Sequence, residues 1–189
     1  MRYVIDQIDL AAPIIPEHGL GGLDIGTNIF ALRQRTLEDR DYRIKIRYLD
    51  YPTIFYKEVV EVIFNPYVGK ISKLRAKKGY SGRLWNTITI GTRAGELQEA
   101  ATTNGFTFGE YEDNGFFFFK DHHRLFAAVL ANPDSCPKEL NPNTAEGWKN
   151  IQEAPIVEIT IWNDLYEHGM GIEEYPEHWD QKTPFQFGL

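Results

Sequence analysis

The chain has almost no cysteine: Cys136 is its only one, so no disulfide can close within it. Structural zinc sites built on paired cysteines are excluded for the same reason. No apolar run approaches the roughly 20 residues needed to cross a bilayer as a helix. The opening residues, MRYVIDQIDL, carry Asp6 and Asp9 where a signal peptide is apolar. These features lead to the expectation of a cytoplasmic protein. Neither composition nor repeats point to disorder, because 42% of the residues are hydrophobic and 14% aromatic, enough to build a core.

Charge of one sign is missing from two stretches. Lys70 to Arg83 holds six basic residues and no acid, whereas Asp164 to Asp180 holds six acids and no Lys or Arg. Residues 1–100 carry 15 Lys+Arg against 12 Asp+Glu, a balance of +3, and residues 101–189 carry 5 against 15, a balance of −10. The whole chain stands at −7. Such polarity gives either a divided surface or two faces that fold together and cancel.

Strand patterns dominate the rest. In RIKIRYL (43–49), Arg43, Lys45 and Arg47 alternate with Ile44, Ile46 and Tyr48. Residues 54–64 are β-branched and aromatic and read as one strand. ISKLRAK (71–77) alternates with Lys73, Arg75 and Lys77 outward, and LWNTITI (84–90) reads as a further strand. Strands are also expected at 106–108, 116–119, 124–130 and 156–162. Helices are few. Ile29 and Leu32 suggest one after Thr27, and Ala94, Leu97, Ala100 and Ala101 fall on one helical face after Thr92. A third is expected over about 144–151, capped by Thr144 or Asn143. The fold class that follows is α+β, a mainly antiparallel sheet with two or three short helices.

One phrase occurs twice. Leu23-Asp-Ile-Gly-Thr-Asn-Ile-Phe-Ala-Leu32 aligns with Ile88-Thr-Ile-Gly-Thr-Arg-Ala-Gly-Glu-Leu97. A strand ending at Ile, a turn at Gly and a helix cap at Thr account for the pattern. The expected organisation is a single domain, 1–189, built from two helix-plus-sheet repeats at about 15–83 and 84–163, with an acidic wrapping tail at 164–189.

The apolar-x-Ile-Gly-polar phrase resembles the start of the helix-plus-sheet units of β-lactamase inhibitor proteins. Its longer form, Ile15-Pro-Glu-His-Gly-Leu-Gly-Gly-Leu-Asp-Ile-Gly26, resembles openings of bacterial toxin-immunity proteins, including the contact-dependent growth inhibition type. Lys78-Gly-Tyr-Ser-Gly-Arg-Leu84 adds to this likeness. The resemblance implies a cytoplasmic immunity protein, an antitoxin or toxin inhibitor that works by protein binding. It implies a cognate toxin blocked by a tight complex and carries no catalytic residue, cofactor or metal with it.

Four constellations invite chemistry. Gly19, Gly21 and Gly22 resemble part of a dinucleotide loop, but Pro13 and Pro16 precede them and no Lys-[Ser/Thr] follows. Asp121, His122 and His123 could serve a metal-dependent hydrolase, although they sit where a hairpin tip belongs. The basic ribbon 70–83, with Tyr80 and Trp85, could bind nucleic acid through phosphate contacts and stacking. The acidic second half suits a basic protein partner, such as a nuclease domain, in a 1:1 complex with a monomer. Candidate contacts are Glu110, Tyr111, Glu112 and Asp113 on one turn and Asp121 with His122 on another. Asp164, Glu167, Glu173, Glu174, Tyr175 and Trp179 in the tail complete the set.

Overall fold

A computed structural model of the chain describes residues 8–28, 42–45, 53–65, 69–112, 115–121, 123–130 and 142–162; at 42–45, 110–112 and 124 it describes the backbone alone. A small hairpin comes first, β1 (Gly19–Leu20) and β2 (Leu23–Asp24). Eight strands then form one antiparallel sheet: β3 (Tyr42–Lys45), β4 (Thr53–Tyr56), β5 (Val60–Asn65), β6 (Lys70–Lys77), β7 (Thr107–Glu112), β8 (Gly115–Lys120), β9 (His123–Leu130) and β10 (Ile156–Trp162). Their spatial order is β3-β4-β5-β6-β10-β9-β8-β7. Helices α1 (Ala94–Thr103) and α2 (Ala145–Glu153) interrupt the second half.

Alternation decides the two faces of the sheet. Val60, Val62, Phe64, Leu74, Ala76, Phe116, Phe118, Phe126, Ala128, Ile159 and Ile161 are buried in one core, joined by Leu97 and Ala101 of α1 and Ile151 of α2. Phe118 and Phe126 stack at 4.3 Å between ring centroids, and cross-strand register places them opposite each other. The reverse face holds a smaller buried set, Phe55, Ile63, Ala127 and Trp162, with Glu61 and Thr160 among it.

The fold is mainly β, which corrects the expected α+β domain of two helix-plus-sheet repeats. Both described helices follow β6, and the helix expected after Thr27 lies outside the described residues. The repeated Ile-Gly-Thr phrase is not a strand–turn–helix joint. Thr92 does not cap α1; the cap position is Arg93, with no side-chain hydrogen bond, and the Thr92 hydroxyl accepts from the Thr89 N–H at 2.9 Å instead. What the two copies share is a turn with glycine at positive φ, +84° at Gly26 and +99° at Gly91. Gly26 N–H donates to Ile71 C=O and Ile71 N–H to Thr27 C=O; Gly91 N–H donates to Ile156 C=O and Ile156 N–H to Thr92 C=O. Each turn therefore clasps one strand of the central pair, β6 and β10, near its start.

Two strand expectations also change. Residues 54–64 are two strands, because Lys57 and Glu58 take positive φ and Val59 N–H bonds back to Tyr56 C=O at 2.9 Å. LWNTITI is a turn closed by Leu84 and Ile88, with Trp85 and Asn86 at positive φ. The expectation at 144–151 holds: Thr144 caps α2, its hydroxyl accepting from Gly147 N–H at 3.0 Å.

Candidate interaction surface

The glycine loop is a hairpin, not a phosphate cradle. Gly19 pairs with Asp24 and Leu20 with Leu23, leaving Gly21 and Gly22 as a two-residue turn at φ +67° and +76°. Both central residues of that turn class need positive φ, which glycine adopts without strain. A Cβ at Gly19 would lie 1.9 Å from Leu23 C=O. The Gly21 N–H is already engaged by the Tyr80 hydroxyl at 2.7 Å, and that hydroxyl donates to Ala12 C=O at 2.7 Å. Tyr80 is buried, and burial pushes its pKa up to about 12, with the Asp9 charge adding to the rise and the Gly21 hydrogen bond opposing it. The three glycines and the tyrosine thus fasten the first segment to the end of β6.

The basic ribbon is consumed by neighbouring acids. On the reverse face of the sheet, Arg75 pairs with Glu61 at 2.8 Å through one terminal nitrogen and with Glu158 at 2.9 Å through Nε. Lys77 bonds the second Glu61 oxygen. Thr160 accepts from Arg75 Nε at 3.2 Å and donates to Glu158 at 3.2 Å. The register dictates this cluster, since Glu61 and Thr160 face Arg75 from β5 and β10, and Glu158 faces Lys77. Only 3% of the Glu61 side chain is exposed, so its two cationic partners compensate a nearly complete loss of hydration. A nucleic-acid groove needs bases free to face phosphates, and Arg75 and Lys77 are not.

Asp121 sits at φ 50° in the two-residue turn between β8 and β9, and Lys120 pairs with His123 across it. This is the hairpin tip expected from the sequence. Asp121 and His123 are exposed, and His122 lies outside the described residues. Among the described residues no three His, Cys, Asp or Glu side chains come together to hold a metal.

Glu110, Tyr111 and Glu112 lie on β7, an edge strand, rather than on a turn; Glu112 pairs with Gly115 and Tyr111 with Phe116. Asp113, Asp164, Glu167, Glu173, Glu174, Tyr175 and Trp179 lie outside the described residues. Sequence reasoning missed two side chains beside β7. Phe108 and Trp148 are 38% and 37% exposed, and both make edge-to-face contacts with buried Phe116, at 5.9 and 6.0 Å between centroids. Phe116 thus sits between two half-exposed rings, one on β7 and one on α2. The available signal was the helical stripe Gly147/Ile151, which leaves Trp148 off the buried face.

No family model matches the chain, and no curated protein matches it. The crystal structure of the uncharacterized protein yfeY from Escherichia coli superposes with a TM-score of 0.45 at 13% identity, over 78% of this chain and 97% of that one.

Proposed function

We propose that the chain is a non-enzymatic binding protein that takes a basic protein partner on the surface formed by β7 and α2. Its specific form, following the resemblance in the glycine-rich opening, is an immunity protein that neutralises a basic toxin domain such as a nuclease. The observation carrying this reading is the pair Phe108 and Trp148, aromatic anchors held in place by Phe116 beside the acidic edge strand with Glu110 and Glu112. Rigid aromatics set next to charge are the usual sources of binding energy and of fast association, respectively. The internal pairing of Arg75 and Lys77 further favours a basic partner over nucleic acid.

The test is calorimetric titration with the toxin domain encoded beside the gene, together with rescue of cells that express it. Wild-type chain binds in a salt-sensitive manner and rescues. Phe108→Ala and Trp148→Ala each weaken binding by roughly tenfold or more, in line with loss of an interface anchor. Absence of binding and rescue sinks the immunity reading. Full affinity in both variants moves the contact away from this surface.

A further inference from the structure

The two edges of the eight-stranded sheet carry opposite charge. β3 ends the sheet on one side with Tyr42-Arg-Ile-Lys45, and β7 ends it on the other with Thr107-Phe-Gly-Glu-Tyr-Glu112. Among the described residues no strand pairs with the outer side of either. An uncovered edge offers a row of N–H and C=O groups to another strand, and charge on it normally repels a second copy. Here the repulsion is selective. Two β3 edges would set bases against bases, and two β7 edges acids against acids, both unfavourable. A β3 edge against a β7 edge sets them in complement.

We propose that copies of this chain associate head to tail, the basic β3 edge of one adding to the acidic β7 edge of the next and continuing the antiparallel sheet. Antiparallel addition places position 43 opposite 112 and position 45 opposite 110, so that Arg43 meets Glu112 and Lys45 meets Glu110, with Ile44 opposite Tyr111 between them. The spacing matters as much as the sign: both pairs of charges are two residues apart, the repeat of one strand face. Because the two edges differ, the contact is heterologous and leaves one basic and one acidic edge at the ends of any assembly. It also covers β7, so an assembled chain and a partner-bound chain are alternatives, and the 1:1 complex forms from released monomers. The inference concerns the chain alone and does not depend on the identity of a partner.

Sedimentation velocity over a range of concentrations tests it. The wild-type chain forms dimers and larger species at low salt, and these dissociate as salt screens the edges. Reversing one cross-strand charge pair raises the dissociation constant by roughly two- to thirty-fold. Arg43→Glu/Lys45→Glu and Glu110→Lys/Glu112→Lys are therefore each monomeric alone, and an equimolar mixture of the two associates again. Circular dichroism verifies that each is folded; should a reversal not fold, the milder Arg43→Gln/Lys45→Gln and Glu110→Gln/Glu112→Gln pairs give the same loss of association. A wild-type chain that stays monomeric at low salt overturns the proposal. So does association that survives both variants, or a mixture that remains monomeric. None of these outcomes touches the titration with a toxin domain, which separates this inference from the proposed function.

Discussion

Replacing Tyr80 with phenylalanine removes one oxygen and leaves the ring, so the change isolates the latch between the glycine hairpin and β6. That oxygen accepts from Gly21 N–H and donates to Ala12 C=O, both at 2.7 Å. Gly21 is buried, and leaving its N–H without a partner costs about 1–3 kcal/mol. Ala12 is half-buried and its carbonyl is within reach of water, so it adds less. The expected loss for Tyr80→Phe is about 2 kcal/mol, measured as a lower urea midpoint at unchanged m. Amide exchange localises it, with Gly21 losing protection before the central strands.

The same side chain gives a pH signature with a definite sign. Its folded pKa is raised from 10.0 to about 12, first by burial. Between those values the unfolded phenol has lost its proton while the folded one keeps it, so the unfolded state binds fewer protons and stability falls as pH rises. The contribution is on the order of 2 kcal/mol, fully present below about pH 10 and gone above about pH 12. Tyr80→Phe removes that slope. A variant within about 0.5 kcal/mol of wild type, with an unchanged slope in the alkaline range, would refute the latch.

Gly19→Ala forces a Cβ to within 1.9 Å of Leu23 C=O and breaks the hairpin, whereas Gly22→Ala meets nothing within 4 Å and loses about 1 kcal/mol to its positive φ alone. Equal melting temperatures for the two would contradict the hairpin geometry. Glu61→Ala strands Arg75 and Lys77 partly, since Glu158 still faces both, and costs about 1–3 kcal/mol. In a double-mutant cycle with Arg75→Ala the two changes couple by at least about 0.5 kcal/mol, and strict additivity would show the pair to be inert. Phe126→Ala empties the position stacked on Phe118 and costs about 3–5 kcal/mol in chemical denaturation, unless the site collapses and the loss falls well below that range.

The strands with clean alternation or dense β-branching were legible. IVEITIW became β10 over its whole length, and ISKLRAK became β6 with one residue added. Helix α1 was legible from its apolar face, and its end from Asn104-Gly105: Gly105 at φ +80° lets Phe106 N–H reach Ala101 C=O and Gly105 N–H reach Thr102 C=O. Two turns were hidden because their residues are poor turn formers. Lys57-Glu58 and Trp85-Asn86 adopt positive φ without glycine, and tertiary packing holds them there against local preference. The Ile-Gly-Thr repeat was visible but misread, because its partners are the distant residues Ile71 and Ile156. Nothing in the local phrase shows a hydrogen bond formed 45 or 65 residues away. The surface at Phe108 and Trp148 was unreadable for a similar reason: its organiser, Phe116, touches both rings only once the chain has folded.

Charge shows how far a count along the chain is from a surface. The first half has a small basic excess and the second a large acidic one, a pattern open to either a divided surface or mutual cancellation. Both occur, at different places. In the middle of the sheet β6 lies between β5 and β10, and its Arg75 and Lys77 are matched by Glu61 from the first half and Glu158 from the second. At the rims no such neighbour exists: β3 and β7 are the ends of the strand order, one carrying bases at alternate positions and the other acids. Cancellation is therefore a property of central strands, where register brings opposite charges together, and polarity survives at the edges. A partner that reads this molecule by charge must meet it at a rim, which is where the aromatic anchors of β7 and α2 also stand.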